Sequence, residues 1–215
     1  LIADIHFDWR LALLAIDAGV HGIRINPGNI GSEDRLREVA RACAVSDTVV
    51  RIGVNGGSLD TDLLDRHGGP TPQALTESAM RACGTMEEEG CSAIKVSLKV
   101  SSVRETVEAN RLFAARTDYP LHLGVTEAGA GTACVVKSAI GIGALLLDGI
   151  GDTIRVSMTG DPVEEVRVAR HILQSLGLRR FGPDLVACPT CGRTAINVAA
   201  TVQRVEEQLA VWQAE

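Results

Sequence analysis

Aromatic side chains are nearly missing from this 215-residue chain: three Phe, two Trp and one Tyr make up 3% of it. The core must therefore be aliphatic, and a surface that stacks nucleic-acid bases has few rings to work with. A positive excess is also lacking. The 21 Lys and Arg against 27 Asp and Glu give a formal charge of −6, which argues against a general polyanion-binding surface but leaves room for a local basic pocket. No secretory signal is visible, and the longest apolar run, around Ala139 to Leu147, is too short and glycine-broken to span a bilayer. Six cysteines are too sparse for a disulfide scaffold at this length. Reduced thiols in a cytoplasmic protein are the expectation. Nor does the chain open on Met. It begins inside a strand pattern, Leu1-Ile2-Ala3-Asp4-Ile5, and stops inside a helical one near Val211 to Glu215, as expected of a piece of a longer protein.

What is present is globular. Apolar residues make up 46% and charged residues 22%, enough for one domain, or one large domain and part of another. Strands are expected at 1–6, 22–26, 49–55, 93–99, 121–126 and 153–159, each followed by a helix or a glycine-rich loop leading to one. Asp8 is expected to cap a helix with Leu11, Leu14, Ala15 and Ala18 on its buried face. Ser32 opens the next helix, and Gly56-Gly57-Ser58 opens a long loop. Thr71-Pro72 starts a helix by the usual cap and first-turn chemistry. After Asp161-Pro162, a stripe of Val163, Val166, Ala169, Leu173 and Leu176 is expected to be buried.

Strands alternating with helices at this rhythm form parallel βαβ units, either in a doubly wound sheet or in a (β/α)8 barrel. Strand parity separates the two. Ile23 and Ile25 share one face, while Arg24 and Asn26 share the other. The same alternation sets Asp4 with His6, Arg51 with Gly53 and Asn55, Lys95 with Ser97 and Lys99, His122 with Gly124 and Thr126, and Arg155 with Ser157 and Thr159. A doubly covered sheet is apolar on both faces. One persistently polar face fits instead a barrel whose inward side chains are polar near the mouth. The expected fold is thus α/β, a partial TIM barrel with about six of eight units over residues 1–180. After Gly182-Pro183 the composition shifts. Leu185 to Ala187 is expected as a short strand, and Val198, Val202, Val205 and Leu209 mark a helix, so 181–215 reads as the beginning of a small second domain.

A single strand arginine usually pairs with a structural carboxylate. Three arginines and two lysines facing inward from four strands are another matter, because an unpaired buried charge costs several kcal/mol. Asp4 and Glu127 are too few to neutralise Arg24, Arg51, Lys95, Lys99 and Arg155. A phosphate or diphosphate ligand removes the deficit, and arginine forks match phosphate oxygens. Glu127 follows a strand end, where a carboxylate caps a loop or, among cations, handles protons or hydroxyls beside a phosphate. His6 and His122 are candidates for lining the site.

Cys188-Pro189-Thr190-Cys191 is the other chemical signal. Two thiols three positions apart can reach one metal centre, and from spacing alone iron–sulfur ligation, zinc and a redox dithiol stay open. None of Cys43, Cys83, Cys91 or Cys134 is spaced to complete a zinc ribbon; they read as small buried hydrophobes. Further ligands would have to lie beyond Glu215.

Several ordered motifs together resemble one family. They are Ala3-Asp4-Ile5-His6-Phe7, Arg24-Ile25-Asn26-Pro27-Gly28-Asn29-Ile30-Gly31, Arg51-Ile52-Gly53-Val54-Asn55, His122-Leu123-Gly124-Val125-Thr126-Glu127-Ala128-Gly129, Gly149-Ile150-Gly151-Asp152-Thr153-Ile154-Arg155-Val156-Ser157 and Cys188-Pro189-Thr190-Cys191-Gly192-Arg193. The chain resembles the bacterial 4-hydroxy-3-methylbut-2-enyl diphosphate synthases over nearly its whole length. That resemblance implies a TIM barrel followed by a small α/β domain with a [4Fe–4S] cluster. The implied reaction is two-electron reductive ring opening of 2-C-methyl-D-erythritol 2,4-cyclodiphosphate with loss of water, with electrons from ferredoxin or flavodoxin.

By the same resemblance, Arg24, Arg51, Lys99, Arg155 and Ser157 would grip the diphosphate and Asn55 would position the substrate. Glu127 would contact its hydroxyls, and Cys188 and Cys191 would be two of three cysteine ligands. The third cysteine and a glutamate would lie after Glu215, and two barrel strands before Leu1. A homodimer is implied as well, and the fragment alone is expected to be inactive. Gly56 and Val100 depart from the Ala expected at each place. The competing readings are a redox-free phosphate-binding barrel of pterin-synthase type with a structural zinc site, and a non-enzymatic barrel remnant whose cysteine module serves assembly.

Overall fold

A computed structural model describes residues 1–212; positions 213–215 of the expected second domain lie outside the described residues. By contacts the chain divides into two units, one from Leu1 to Ile172 and one from Leu173 onward. The boundary falls inside a helix, upstream of the composition shift after Gly182-Pro183.

The first unit is α/β, with every strand pairing parallel. It runs β1 (Ile2–Asp4), α1 (Trp9–Asp17), β2 (Gly22–Ile25), α2 (Pro27–Ile30), α3 (Glu33–Ser46), β3 (Val49–Asn55), a 3-10 turn (Gly56–Ser58), α4 (Thr61–His67), α5 (Pro72–Glu88), β4 (Ile94–Lys99), α6 (Val103–Ala114), β5 (His122–Leu123), α7 (Gly131–Leu147), β6 (Thr153–Ile154) and most of α8 (Pro162–Ser175). β1 to β4 form one sheet in sequence order and β5 pairs β6. A single parallel bridge, Val96 to Leu121, links the two pieces. Among the described residues the strand pairing does not close into a ring.

Local chemistry explains the boundaries. Asp8 caps α1 by accepting from the Arg10 N–H, and Thr71 caps α5 by accepting from Ala74 with Pro72 in the first turn. Ser102 does the same for α6. Ser32 precedes α3 as expected, but its side chain makes no capping bond. The helix-facing strand residues Ile23, Ile25, Val50, Ile52, Val96 and Leu98 are fully buried, with Phe113, Leu75 and Met86 packed behind them. Each such side chain stabilises the fold by about 2 kcal/mol.

Four expectations need correction. In α1 the buried residues are Ala12 and Ile16, whereas Leu11, Leu14 and Ala18 are exposed and Ala15 is half-buried. In α8 only Ile172 is buried, and Val163 and Val166 are exposed. Apolar spacing marks a helix face but does not say that anything covers it. The loop after Gly56 contains α4, and β5 and β6 are much shorter than expected, because hydrogen bonding lapses where Gly124 and the loops beyond it begin.

The second unit carries the end of α8, a loop and α9 (Val198–Trp212). Val198, Val202, Val205 and Leu209 are the half-buried side of α9. Leu185 to Ala187 is not a strand: it has no pairing partner among the described residues, and Val186 is almost fully exposed. No helix among the described residues is long and apolar enough to cross a membrane.

Candidate anion-binding site

Parallel pairing without slippage places residues of matching parity side by side. Asp4 pairs with Arg24, Arg24 with Arg51 and Arg51 with Lys95, a row of four charged side chains across four adjacent strands. Asn55 pairs with Lys99 at the other end of β3 and β4. Because each strand residue advances about 3.3 Å, Lys95 and Lys99 serve opposite ends of the sheet. Lys95 lines a wide cleft at the strands' N-terminal ends, together with Arg116, Glu87 and Asp118.

At the C-terminal ends, a cavity of about 160 Å³ gathers Arg24, Arg51, Asn55, Lys99, Arg155 and Ser157 with Asp4, His6, Ser97 and Thr126. Four cations there face one carboxylate. Arg24 bonds Asp4 through Nη1 at 3.1 Å, and His6 approaches the same carboxylate at 3.7 Å. Arg155 has only a distant pairing, Nε to Glu165 at 3.9 Å. Among the described residues no carboxylate lies within ion-pair reach of Arg51 or Lys99, and the buried Arg51 Nε has no hydrogen-bond partner. An orphaned guanidinium N–H at the wall of a cation-rich cavity is a donor in want of an anion.

Two glycines make room for the cations. A Cβ on Gly53 would lie 2.8 Å from Arg24 Nε, so the guanidinium lies across β3 only because that side chain is absent. A Cβ on Gly124 would lie 3.2 Å from Lys99 Nζ and 2.5 Å from the Arg155 carbonyl oxygen. Lys99 is steadied from behind by α6. Asn110 Nδ2 donates to the Leu98 carbonyl at 2.9 Å, and Thr106 Oγ1 donates to the Val100 carbonyl at 3.0 Å while accepting from its N–H. Asn55 accepts from Gly57 N at 3.1 Å and from Ser58 Oγ at 3.0 Å, which fixes its amide at the rim.

The field shows in the ionisable groups. Burial first, then Arg51, Arg155 and Arg24, lower Lys99 from its ordinary 10.5 to about 7, with Asp4 opposing. Burial and then Arg24 also lower Arg51. His122, held by Thr153 Oγ1 at 2.8 Å on Nδ1 and unpartnered at Nε2, is lowered to about 2 by burial and by Lys99, Arg51, Lys95 and Arg155. It is a neutral imidazole at any physiological pH.

Of the residues expected at the site, Arg24, Arg51, Asn55, Lys99, Arg155 and Ser157 come together. Glu127 does not line the cavity. It sits exposed in the loop between β5 and α7 with φ 53°, a left-handed conformation that a glutamate adopts only under constraint, and its neighbour Thr126 reaches the cavity instead. Asp4, His6, Ser97 and Thr126 share the strand parity of the cations, and that parity is the sequence signal for them. Asn26 shares it too, but it is buried as the cap of α2, accepting from Gly28 N and donating to Ser58 Oγ at 2.7 Å.

In the second unit, Cys188 and Cys191 are free and exposed. Thr190 N donates to Cys188 O at 3.0 Å, and Thr194 N donates to Cys191 O at 2.9 Å. Donors from the Arg193 backbone and from Thr194 hold the Cys191 thiol below its usual value, favouring the thiolate that binds metals. No cluster of three or more His, Cys, Asp or Glu suited to a metal occurs among the described residues. Cys43, Cys83, Cys91 and Cys134 are all buried in the first unit, and burial pushes Cys83 up to about 12.

Comparison with known proteins matches this geometry to a family. The GcpE TIM-barrel domain matches residues 1–170. The chain is 55% identical over 209 residues to the 4-hydroxy-3-methylbut-2-en-1-yl diphosphate synthase (flavodoxin) of Nitratidesulfovibrio vulgaris, covering 97% of this chain and 54% of that protein. It is 54% identical to the synthase of the same name from Aquifex aeolicus, covering 97% and 58%. The chain thus spans little more than half the length of these relatives. Among solved structures, Mycobacterium tuberculosis Rv1207 superposes with a TM-score of 0.52 at 14% identity, covering 83% of this chain and 69% of that one, a likeness of fold alone. With that family match over most of its length, the chain belongs to the GcpE TIM-barrel family.

Proposed function

We propose that the protein carrying this chain is a reductive synthase. It would open 2-C-methyl-D-erythritol 2,4-cyclodiphosphate to 4-hydroxy-3-methylbut-2-enyl diphosphate with two electrons and loss of water. The observation that carries this reading is the cavity with four cations, one carboxylate and an orphaned Arg51 N–H, in a chain whose relatives bear the synthase name. Residues 1–180 form the substrate-binding barrel, and 181–215 begin the redox domain. The redox-free alternative draws no support from the family match.

Arg24 and Arg51 hold phosphate oxygens from one side and Lys99, Arg155 and Ser157 from the other. Breaking the ring's carbon–oxygen bond leaves its electron pair on a phosphate oxygen, so negative charge builds where these cations already stand. The glycine gaps and the bonds from α6 keep the cations in place without reorganisation. Asn55, fixed by its own loop, orients the carbon skeleton. Glu127, exposed beside the mouth, contacts substrate hydroxyls and handles the proton that leaves with water.

Cys188 and Cys191 suit two ligands of a [4Fe–4S] cluster: both are free, exposed and on one turn, and Cys191 favours the thiolate. Two thiols hold half a cluster, so the remaining ligands come from elsewhere in the protein. When bound, the cluster would supply low-potential electrons, which no side chain at the cavity can. Flavodoxin, named in the relatives' descriptions, is the proposed donor. A cytoplasmic homodimer completes the proposal.

The test is anaerobic reconstitution of the full-length protein with iron and sulfide. Broad visible absorption that disappears in C188S and C191S, together with cyclodiphosphate binding that weakens in R155A without loss of colour, is the expected result. A colourless, iron-free or zinc-only protein would end the proposal.

A further inference from the structure

Lys99 has an unusual set of neighbours. Arg24 from β2, Arg51 from β3 and Arg155 following β6 face it across the cavity, while Lys95 lies at the far end of its own strand. His122 on β5 is near enough to feel its charge. On the acidic side stands Asp4 at the end of β1, already bonded by Arg24 at 3.1 Å and approached by His6, while Glu165 of α8 faces Arg155. Without a ligand, a charged Lys99 would be the fourth cation around a space of about 160 Å³ that holds one carboxylate. Its arm lies where a side chain at Gly124 would otherwise be, so it has little room to swing away.

We propose that the site completes its charge only when it is filled: Lys99 takes up a proton as a small, fully ionised cyclic phosphate enters. This rests on reading the cavity as a phosphate site, and goes beyond it by making ligand binding and proton binding one event. The physical balance supports it. The empty site leaves Lys99 titrating at about 7. One negative charge placed against the amine in a partly screened cavity raises its pKa by about three units. Occupancy therefore returns the amine to its ordinary range, where it is charged. By linkage, the protons taken up per ligand rise from about 0.1 at about pH 6 through about 0.5 at pH 7 to about 0.9 at pH 8, and affinity weakens about tenfold per pH unit above that. The empty barrel avoids a fourth cation, and the filled one gains the donor that a leaving phosphate oxygen needs.

The experiment is titration calorimetry of the full-length protein with trimetaphosphate, a cyclic anion without a titrating oxygen near neutrality. It is run at about pH 6, 7 and 8 in two buffers of different ionisation enthalpy, so that proton uptake is read directly. The expected result is uptake approaching one proton per bound ligand at pH 8, preserved in H6N and absent per bound ligand in K99R, whatever that change does to affinity. Binding without uptake in the unmodified protein overturns this inference and leaves the phosphate-site reading standing. Absence of any binding removes both. Uptake that survives in K99R, or vanishes in H6N, takes the proton away from Lys99. Should K99R fail to fold or to bind, the unmodified protein and H6N decide: uptake that rises with pH in both supports the proposal, and flat or absent uptake in either overturns it.

Discussion

Replacing Lys99 by Met should make the ligand-free protein more stable, and by an amount that depends on pH. In the unfolded chain the amine titrates near 10.5, and in the folded chain at about 7. Between those values the unfolded state holds a proton that the folded state has lost. Stability of the unmodified protein therefore rises with pH from about 7 to about 10.5, and the charged lysine is a full liability below about 7. A displacement of that size has a ceiling near 5 kcal/mol at about 1.4 kcal/mol per unit. Part of the Lys99 side chain stays open to the cavity, and solvent there together with local relaxation lowers that ceiling, so about 2 kcal/mol is the expected gain at neutral pH. Met fills the same space against Gly124 without charge. Chemical unfolding of both proteins at intervals from about pH 7 to 10 measures the difference, which should shrink towards zero at the alkaline end. Equal stability at neutral pH, or a difference that does not close with rising pH, would refute the strained-lysine account.

Four other outcomes follow from the structure. G124A should lose about 2 kcal/mol or more in a thermal or denaturant melt, because its Cβ would meet the Arg155 backbone carbonyl at 2.5 Å. G53A, which meets the ends of side chains, the Arg24 guanidinium and the Ser97 hydroxyl, rather than backbone, should cost less and mainly weaken trimetaphosphate binding; equal losses would contradict the packing described. E127G should relieve the left-handed backbone and raise stability by about 1 kcal/mol while lowering turnover of the full-length enzyme; a fall in stability would show the carboxylate to be holding the loop. Iodoacetamide, followed by mass spectrometry of peptides from the metal-free protein, should modify Cys191 and Cys188 well before Cys43, Cys83 or Cys134; labelling in the reverse order would refute the assigned exposures.

The strand faces were legible because a period of two survives in the sequence: Arg24, Arg51 and Lys99 alternate with Ile23, Ile52 and Leu98, and the structure keeps that alternation. Caps at Asp8, Thr71 and Ser102 were legible for a similar reason, since their chemistry is local. Parity could not say how far along a strand a residue lies relative to the mouth, so Lys95 and Lys99 looked alike from sequence yet belong to opposite ends. Nor could periodicity show which apolar faces are covered, as Leu11, Leu14, Val163 and Val166 attest. The short helix α4 was hidden by the glycines on either side of it, Gly57 and Gly68-Gly69. Glu127 was legible as a residue, but its left-handed backbone and its place outside the cavity lining are set by the loop as a whole.

The unslipped row from Asp4 through Arg24 and Arg51 to Lys95 also bears on assembly. Slide any of these strands by a single residue and its charged side chain is driven among the isoleucines and valines beneath the helices, at a cost of several kcal/mol. Mispaired intermediates are thereby penalised before any ligand is present. The arginines of the cavity would thus act as a proofreading device for strand alignment, and a neutralised barrel should misfold more often even where its native state is sturdier.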